Sequence, residues 1–154
     1  MYLRQTNIHD KSIIKSIYLD SINSIDVKIY SPQQKFAWCS QAWENPEFNN
    51  AITKGKGWIV GESSYFRGFA IRYPKNKLSL FYCRADSKRK GIGTMLLNKI
   101  EQEAKNDNIS SIKTEASLIS YRLLLKRDWK IIRKENIIIK NTIFNRYKMI
   151  KNLT

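Results

Sequence analysis

The 154-residue chain is poor in the residue types that announce a function by themselves: it has one histidine, two cysteines, three prolines and six glycines. Cys39 and Cys83 sit in unrelated segments and match no metal-ligand spacing, so they read as buried free thiols and no metal site is expected. The single histidine, His9, lies beside a helix start, where capping or solvent exposure accounts for it. No apolar run approaches the ~20 residues of a membrane span, and MYLRQTNIHDKSIIKS lacks the continuous apolar stretch and small-residue cleavage site of a signal peptide. A cytoplasmic protein without membrane contact is expected. There is no repeat, no Pro/Gly/Ser linker and no low-complexity tail. At this length the chain fits one domain, residues 1–154, around one core.

Acidic residues are also scarce, with 13 Asp and Glu against 28 Lys and Arg and a formal charge of +15. Such a balance suggests nucleic acid or another anionic ligand. Yet Ile, Lys and Asn make up 54 of the 154 residues, a bias that A/T-rich codons produce without any binding role. A nucleic-acid domain needs a contiguous basic face with exposed stacking aromatics. Lysines interspersed with polar residues do not show one, and only Lys88, Arg89 and Lys90 form an unbroken run.

The segments that are present alternate in period. MYLRQT reads as a short first strand. From Asp10, a candidate N-cap, Ile13, Ile14, Ile17, Tyr18, Ile22 and Ile25 recur at helical spacing to about Asp26. YSPQQKFAWCSQAW opens a second helix with Ser31 as N-cap and Pro32 at the first helical position, and Asn45–Pro46 repeats that pairing on a smaller scale. GWIVGE, YFRGFAIRY and KLSLFYCR, separated by turn residues, predict an antiparallel meander. Leu96, Leu97, Ile100 and Ala104 then mark one face of a helix from about Gly91 to Lys105. SSIKTEAS is a strand, LISYRLLLKRD a short helix, and WKIIRKENIIIK with TIFNRYKMI a closing pair of strands. The order β-α-α-β-β-β-α-β-α-β-β predicts an α/β fold, a mixed sheet flanked by helices.

The stretch KRKGIG stands where the third meander strand gives way to a helix. Cations at a helix N-terminus oppose its dipole, at ~0.3–1 kcal/mol each when exposed. Lys88, Arg89 and Lys90 are therefore poorly placed for stability alone and well placed to meet an anion. Gly91 and Gly93 let backbone approach a ligand closely, and the unpaired N–H groups of the first turn point at it. A dinucleotide fingerprint would need a third glycine, and a P-loop would need Gly-Lys-Ser/Thr, whereas Thr94 follows Gly93 directly. Neither pattern is met.

KRKGIG followed by TMLLNKIEQEA resembles the acyl-CoA site of the GCN5-related N-acetyltransferase (GNAT) superfamily, whose motif reads Gln/Arg-x-x-Gly-x-Gly/Ala. LSLFYC before the loop, SIKTEAS after the helix and LLLKRDWKI match the rest of that core in order, so the resemblance covers nearly the whole chain. YSPQQKFAW, TEAS and FNRYKM look like its YafP-like bacterial branch. The resemblance implies a splayed mixed sheet with acetyl-CoA as co-substrate between residues 78–83 and 110–116. It implies that the backbone of Arg89, Lys90, Gly91, Ile92, Gly93 and Thr94 holds the pyrophosphate beside Lys88, and that the strand edge at Phe81, Tyr82 and Cys83 pairs with the pantetheine amides. The implied reaction is acetyl transfer to a primary amine by direct attack on the thioester, in a monomer or homodimer.

Three positions depart from the pattern. Lys88 replaces Gln or Arg, Ser117 stands near the cofactor where many members carry asparagine, and Leu124 occupies the place of the tyrosine that often acts as general acid. Tyr121, one turn earlier, is the candidate acid and Glu115 the candidate base. Trp38, Trp43, Trp58 and Tyr73 are candidates for an acceptor pocket, with core packing an equal explanation. The competing reading is a basic nucleic-acid-binding domain, or an acetyltransferase acting on aminoacyl-tRNA.

Overall fold

The computed structural model describes residues 1–154. Along the chain lie β1 (Tyr2–Gln5), α1 (Lys11–Asn23), α2 (Pro32–Glu44), α3 (Pro46–Lys54), β2 (Lys56–Glu62), β3 (Tyr65–Arg72), β4 (Leu78–Cys83), α4 (Ile92–Asn106), β5 (Ser111–Ala116), α5 (Tyr121–Lys126), β6 (Lys130–Ile139) and β7 (Thr142–Asn152). No helix is long and apolar enough to cross a membrane.

The helix starts follow local chemistry. Ser31 and Gln34 close a reciprocal capping box ahead of α2, with Pro32 in the first helical position. Asn45 accepts the Glu47 N–H at 3.0 Å and starts α3. The sequence order contained two helices before the meander. The structure has three, because the Asn45–Pro46 signal nucleates a complete short helix whose Phe48, Ala51 and Ile52 are buried. Asp10 occupies the N-cap position of α1 as expected, but its side chain is used elsewhere. Asn7 and Asp10 form a capping box one 3-10 turn earlier, and Asp10 makes no cap bond to α1. Its carboxylate instead takes both Arg4 guanidinium nitrogens, at 2.8 and 2.9 Å, which ties β1 to the helix start and holds its pKa below the usual carboxylate range.

The strands form two antiparallel sheets, ordered β1-β2-β3-β4 and β5-β7-β6. They touch only where β4 and β5 begin. There Lys77 and Lys113 make an isolated parallel bridge, the Lys113 N–H donates to the Asn76 carbonyl at 2.9 Å, and Thr114 Oγ1 donates to the Leu78 carbonyl at 2.7 Å. The register of β4 on β3 then slips, since Arg72 opposes Leu78 and Ile71 opposes Leu80. Ser79 is left unopposed, its hydroxyl donating to the Ile71 carbonyl at 3.1 Å. Such a bulge bends and twists a strand, and beyond it β4 parts from β5. The result is the expected splayed α/β arrangement, built as two antiparallel sheets with one parallel bridge between them and open along the far halves of β4 and β5.

Helix α4 packs beneath the opening. Its Leu96, Leu97 and Ile100 share a core with Val60 and Ala70 of the first sheet and Ile112 and Met149 of the second, so one helix holds both half-sheets. On the opposite face Ile14, Ile17, Ile22 and Phe48 pack on Ile59 and Phe69. Burying one such side chain stabilises by roughly 1.5–3 kcal/mol as an upper estimate. A third cluster, Ile25, Tyr30, Ala37 and Phe144, closes α2 against β7 across the open side.

Candidate active site

The splay creates two distinct surfaces, one on each side of β4. The first is the loop from β4 into α4. Gly91, the N-cap, has φ +76° and Arg89 has φ +61°, left-handed conformations that cost a side-chain-bearing residue ~1–2 kcal/mol. Gly93 is needed for space: a Cβ there would lie 2.9 Å from Leu123 and 3.3 Å from Phe81. Met95 makes the first helical bond, to the Gly91 carbonyl at 3.0 Å. None of the N–H groups from Arg89 to Thr94 is given to a backbone acceptor. Lys88, Arg89 and Lys90 are exposed, and none enters an ion pair. Ile92 anchors the loop through its buried side chain.

The approach to this loop is braced from β3. Arg67 donates to Ser87 Oγ at 3.2 Å, and the Tyr65 hydroxyl donates to Asp86 at 2.7 Å, holding the Asp86 pKa below its usual range. Beyond Leu78 the outer edge of β4 pairs with no strand. Burial pushes the Cys83 thiol up to about 12, with Lys88 nearby pulling the other way, so it stays protonated near neutral pH and is a poor nucleophile. The Tyr82 side chain turns away from the edge. Its hydroxyl accepts the Trp38 indole N–H at 3.2 Å and its ring meets Tyr18 edge-on at 4.7 Å, while burial raises its pKa.

The second surface is a cavity of about 370 Å³ on the other side of β4. Aromatic rings from several elements build its wall: Tyr18, Tyr30, Trp38, Phe48, Tyr82 and Phe144. Tyr30 and Trp38 lie 5.1 Å apart, and Trp38 is 6.1 Å from Tyr82, which fixes these rings against one another. Its two carboxylates are Glu47, in the first turn of α3, and Glu115, near the end of β5. Glu115 Oε2 sits 2.8 Å from Lys77 Nζ. Phe81 lines the cavity and also faces Gly93, so the two surfaces meet at its ring.

The remaining sequence candidates divide. Ser117 lines the cavity, its hydroxyl accepting the Ile119 and Ser120 N–H groups at 3.2 and 3.1 Å. Leu124 forms part of the wall. Tyr121 does not line it; its ring stacks on Tyr147 at 4.4 Å and its hydroxyl accepts Arg122 Nε at 3.2 Å. Trp38 and Tyr73 line the cavity. Trp43 is exposed under Lys15, and Trp58 packs beside the α4 core under Lys99. Tyr30, Gln41, Glu47 and Ser120 belong to the wall and were absent from the sequence candidates. For Glu47 a signal existed, since Asn45–Pro46 predicts a helix start that puts residue 47 in its first turn. No group of His, Cys, Asp and Glu side chains is arranged to hold a metal ion.

The sequence model of the acetyltransferase (GNAT) domain matches residues 26–150. No curated protein matches the chain in sequence. Among solved structures it is similar to a GCN5-related N-acetyltransferase from Rhodopseudomonas palustris, with a TM-score of 0.91 and 21% identity over 98% of this chain and 94% of that one. It is also similar to the PaiA N-acetyltransferase of Thermoplasma acidophilum in complex with coenzyme A, with a TM-score of 0.74 and 17% identity over 99% of both chains. A third neighbour is YncA of Salmonella typhimurium, a putative acetyltransferase with acetyl-CoA, at a TM-score of 0.69 and 15% identity over 100% of this chain and 94% of that one. At these identities the neighbours speak for the fold, and the family match does not single out the YafP-like branch. A family match across most of the sequence, on a sheet that splays beside a glycine loop, establishes that the chain belongs to the GNAT acetyltransferase family.

Proposed function

We propose that the chain transfers the acetyl group of acetyl-CoA to a primary amine lodged in the aromatic cavity beside β4. The observation that carries this reading is the meeting, at Phe81, of a loop rich in undonated N–H groups with a cavity that holds a carboxylate. The residues fit coenzyme A by their chemistry. Backbone N–H groups from Arg89 to Thr94 receive the pyrophosphate at the positive end of α4. Lys88, Arg89 and Lys90 add charge, and the outer edge of β4 at Phe81, Tyr82 and Cys83 offers its main-chain groups to the pantetheine amides.

When bound, acetyl-CoA supplies a thioester carbonyl and a thiol leaving group. The protein holds the amine against that carbonyl. Glu115, kept beside Lys77, takes the proton that the ammonium must lose, directly or through a water. Leu124 cannot donate a proton and Tyr121 does not line the cavity, so in this reading water protonates the departing thiolate. A thiol with a pKa near the ~8.5 cysteine reference leaves tolerably at neutral pH, which limits the cost of lacking a dedicated acid to part of the ~10²–10⁴-fold that acid catalysis usually supplies.

The test is thiol release from acetyl-CoA in the presence of a panel of primary amines and aminoacyl-tRNA, paired with calorimetry of coenzyme A. Saturable binding and amine-dependent release are expected. A folded protein that binds no coenzyme A would overturn the reading.

A further inference from the structure

We infer that the acceptor amine carries an anionic group, a carboxylate or phosphate, several bonds from its nitrogen, and that Lys77, Lys113 and Lys148 read it. This rests on the transferase reading and concerns the acceptor half of the same site. The aromatic cavity continues past Glu115 into a second hollow of about 130 Å³, lined by Asn76, Lys77, Lys113, Thr114, Glu115 and Lys148 with Pro74 at its lip. Lys77, Thr114 and Glu115 line both spaces.

The strand geometry explains why these ammonium groups gather. Side chains two residues apart on a strand share a face, which places Lys113 beside Glu115. Lys148 stands directly opposite Glu115 in the β5–β7 ladder, and Lys77 meets it from the other half-sheet. One carboxylate therefore serves three lysines. Lys77 has it at 2.8 Å, while Lys113 and Lys148 enter no ion pair. Arg146, the other cation of the cavity, is already engaged by Glu135 at 2.8 Å.

Most lysines of the chain stand unpaired on its surface; Lys113 and Lys148 differ in that both line one hollow. The two are diagonal neighbours in the ladder, each beside Glu115 and without an ion pair of its own; an anion bound there offsets the repulsion between them. The hollow lies roughly 13 Å along β4 from Phe81, at ~3.3 Å per residue. With the nitrogen at the thioester beside Phe81 and Glu115 reached through a water, an α-carboxylate on the acetylated carbon is too near the nitrogen to reach Lys113 and Lys148. The fitting class is an extended amine with an apolar stem for the aromatic wall and a terminal anion, such as an ω-amino acid or an aminoalkyl phosphate. A second ammonium at that end would meet the lysines with like charge, so diamines and polyamines are disfavoured.

The decisive comparison uses acceptors of one length that differ in terminal charge: ω-aminoalkanoates, ω-aminoalkyl phosphates, the neutral ω-amino amides and the α,ω-diamines. For the wild type, kcat/KM falls from the anionic members to the amide to the diamine, by roughly tenfold or more across the series. The carboxylate and phosphate arms show which anion is preferred. In Lys113→Gln/Lys148→Gln the ratio of kcat/KM for the anionic members to that for the amide falls toward one, and Lys148→Glu shifts preference toward the diamine. A series without charge preference, or one that survives both variants, overturns the inference and leaves the transferase reading intact. Turnover of aminoacyl-tRNA alone, steeply weakened by salt, assigns the lysines to a nucleic-acid backbone and equally overturns it. Turnover of none of the series contradicts it too, and coenzyme A calorimetry then reports separately whether the transferase reading stands.

Discussion

The two sides of β4 use opposite materials. On the coenzyme side the working groups are main-chain N–H donors, held in place by left-handed backbone at Arg89 and Gly91 and by the small volume of Gly93. The side chains there are exposed cations with no partners. On the acceptor side the working groups are side chains from α1, α2, α3, β4, β5 and β7, with rings packed edge to face or tilted against one another and Glu115 paired to Lys77. A loop made of backbone can bind the same phosphates whatever the acceptor is. A wall made of side chains can be altered one residue at a time, so it is the natural place for specificity.

The largest effect should come from breaking the coenzyme side alone. Gly93→Glu places atoms where Leu123 and Phe81 already lie, and coenzyme A affinity should fall by ~100-fold or more, about 2.7 kcal/mol. Calorimetry checks this, with circular dichroism confirming that the variant folds. Unchanged affinity would mean that the loop is not the site.

Breaking the acceptor side alone should spare coenzyme binding. Glu115→Gln should lower kcat by roughly 10²-fold, most severely at low pH, where more of the amine arrives as ammonium. Tyr121→Phe, outside the cavity, should leave the pH–rate profile of the wild type in place. Matching profiles for Glu115→Gln and wild type would move the base to Glu47 or to bound water.

A smaller change sharpens the contrast, because its two readouts move in opposite directions. Neutralising Lys88, Arg89 and Lys90 to Gln should weaken coenzyme A about tenfold at low salt. It should also stabilise the free protein by ~0.3–1 kcal/mol per residue, since the cations oppose the α4 dipole. Thermal melts and binding isotherms on one preparation measure both.

The smallest effect lies outside both surfaces. Asp107, at the end of α4, accepts Arg72 and Lys56, and those bonds lower its pKa to about 2. A carboxyl depressed in the folded state contributes stability that is present above its unfolded value and is lost as the pH falls through the folded value. The contribution should therefore disappear between about pH 4 and pH 2, and Asp107→Asn should flatten that part of the melting-temperature profile. Arg72 is buried and also donates to the Lys75 carbonyl at 2.8 Å, so this pair fixes the turn that carries Tyr73 to the cavity rim.

How much of this was legible in the sequence follows the same division. The glycine loop, the meander and α4 are contiguous, and their turn residues and periodicity state the local geometry; the strands and α4 end close to where the spacing predicts. The acceptor wall has no such signature. Tyr30, Gln41 and Ser120 reach the wall only through the tertiary fold, and the β4 bulge at Ser79 is announced by no local preference. Asp10 stands at the N-cap position of α1 that the sequence predicts, but its carboxylate is taken by Arg4 and the Asn7 N–H and makes no cap bond into that helix. Tyr121 lies on the expected helix, with its ring stacked on Tyr147 and outside the cavity lining.

The account's central claim is that main-chain groups on one side of β4 hold the coenzyme while the cavity on the other side remains for the amine. Amide hydrogen exchange with and without acetyl-CoA tests it directly. Protection is predicted for Arg89 to Thr94 and for the free edge of β4 at Tyr82 and Cys83, with little change in the β6–β7 hairpin. Protection centred on that hairpin, or none at the loop under saturating acetyl-CoA, would contradict it.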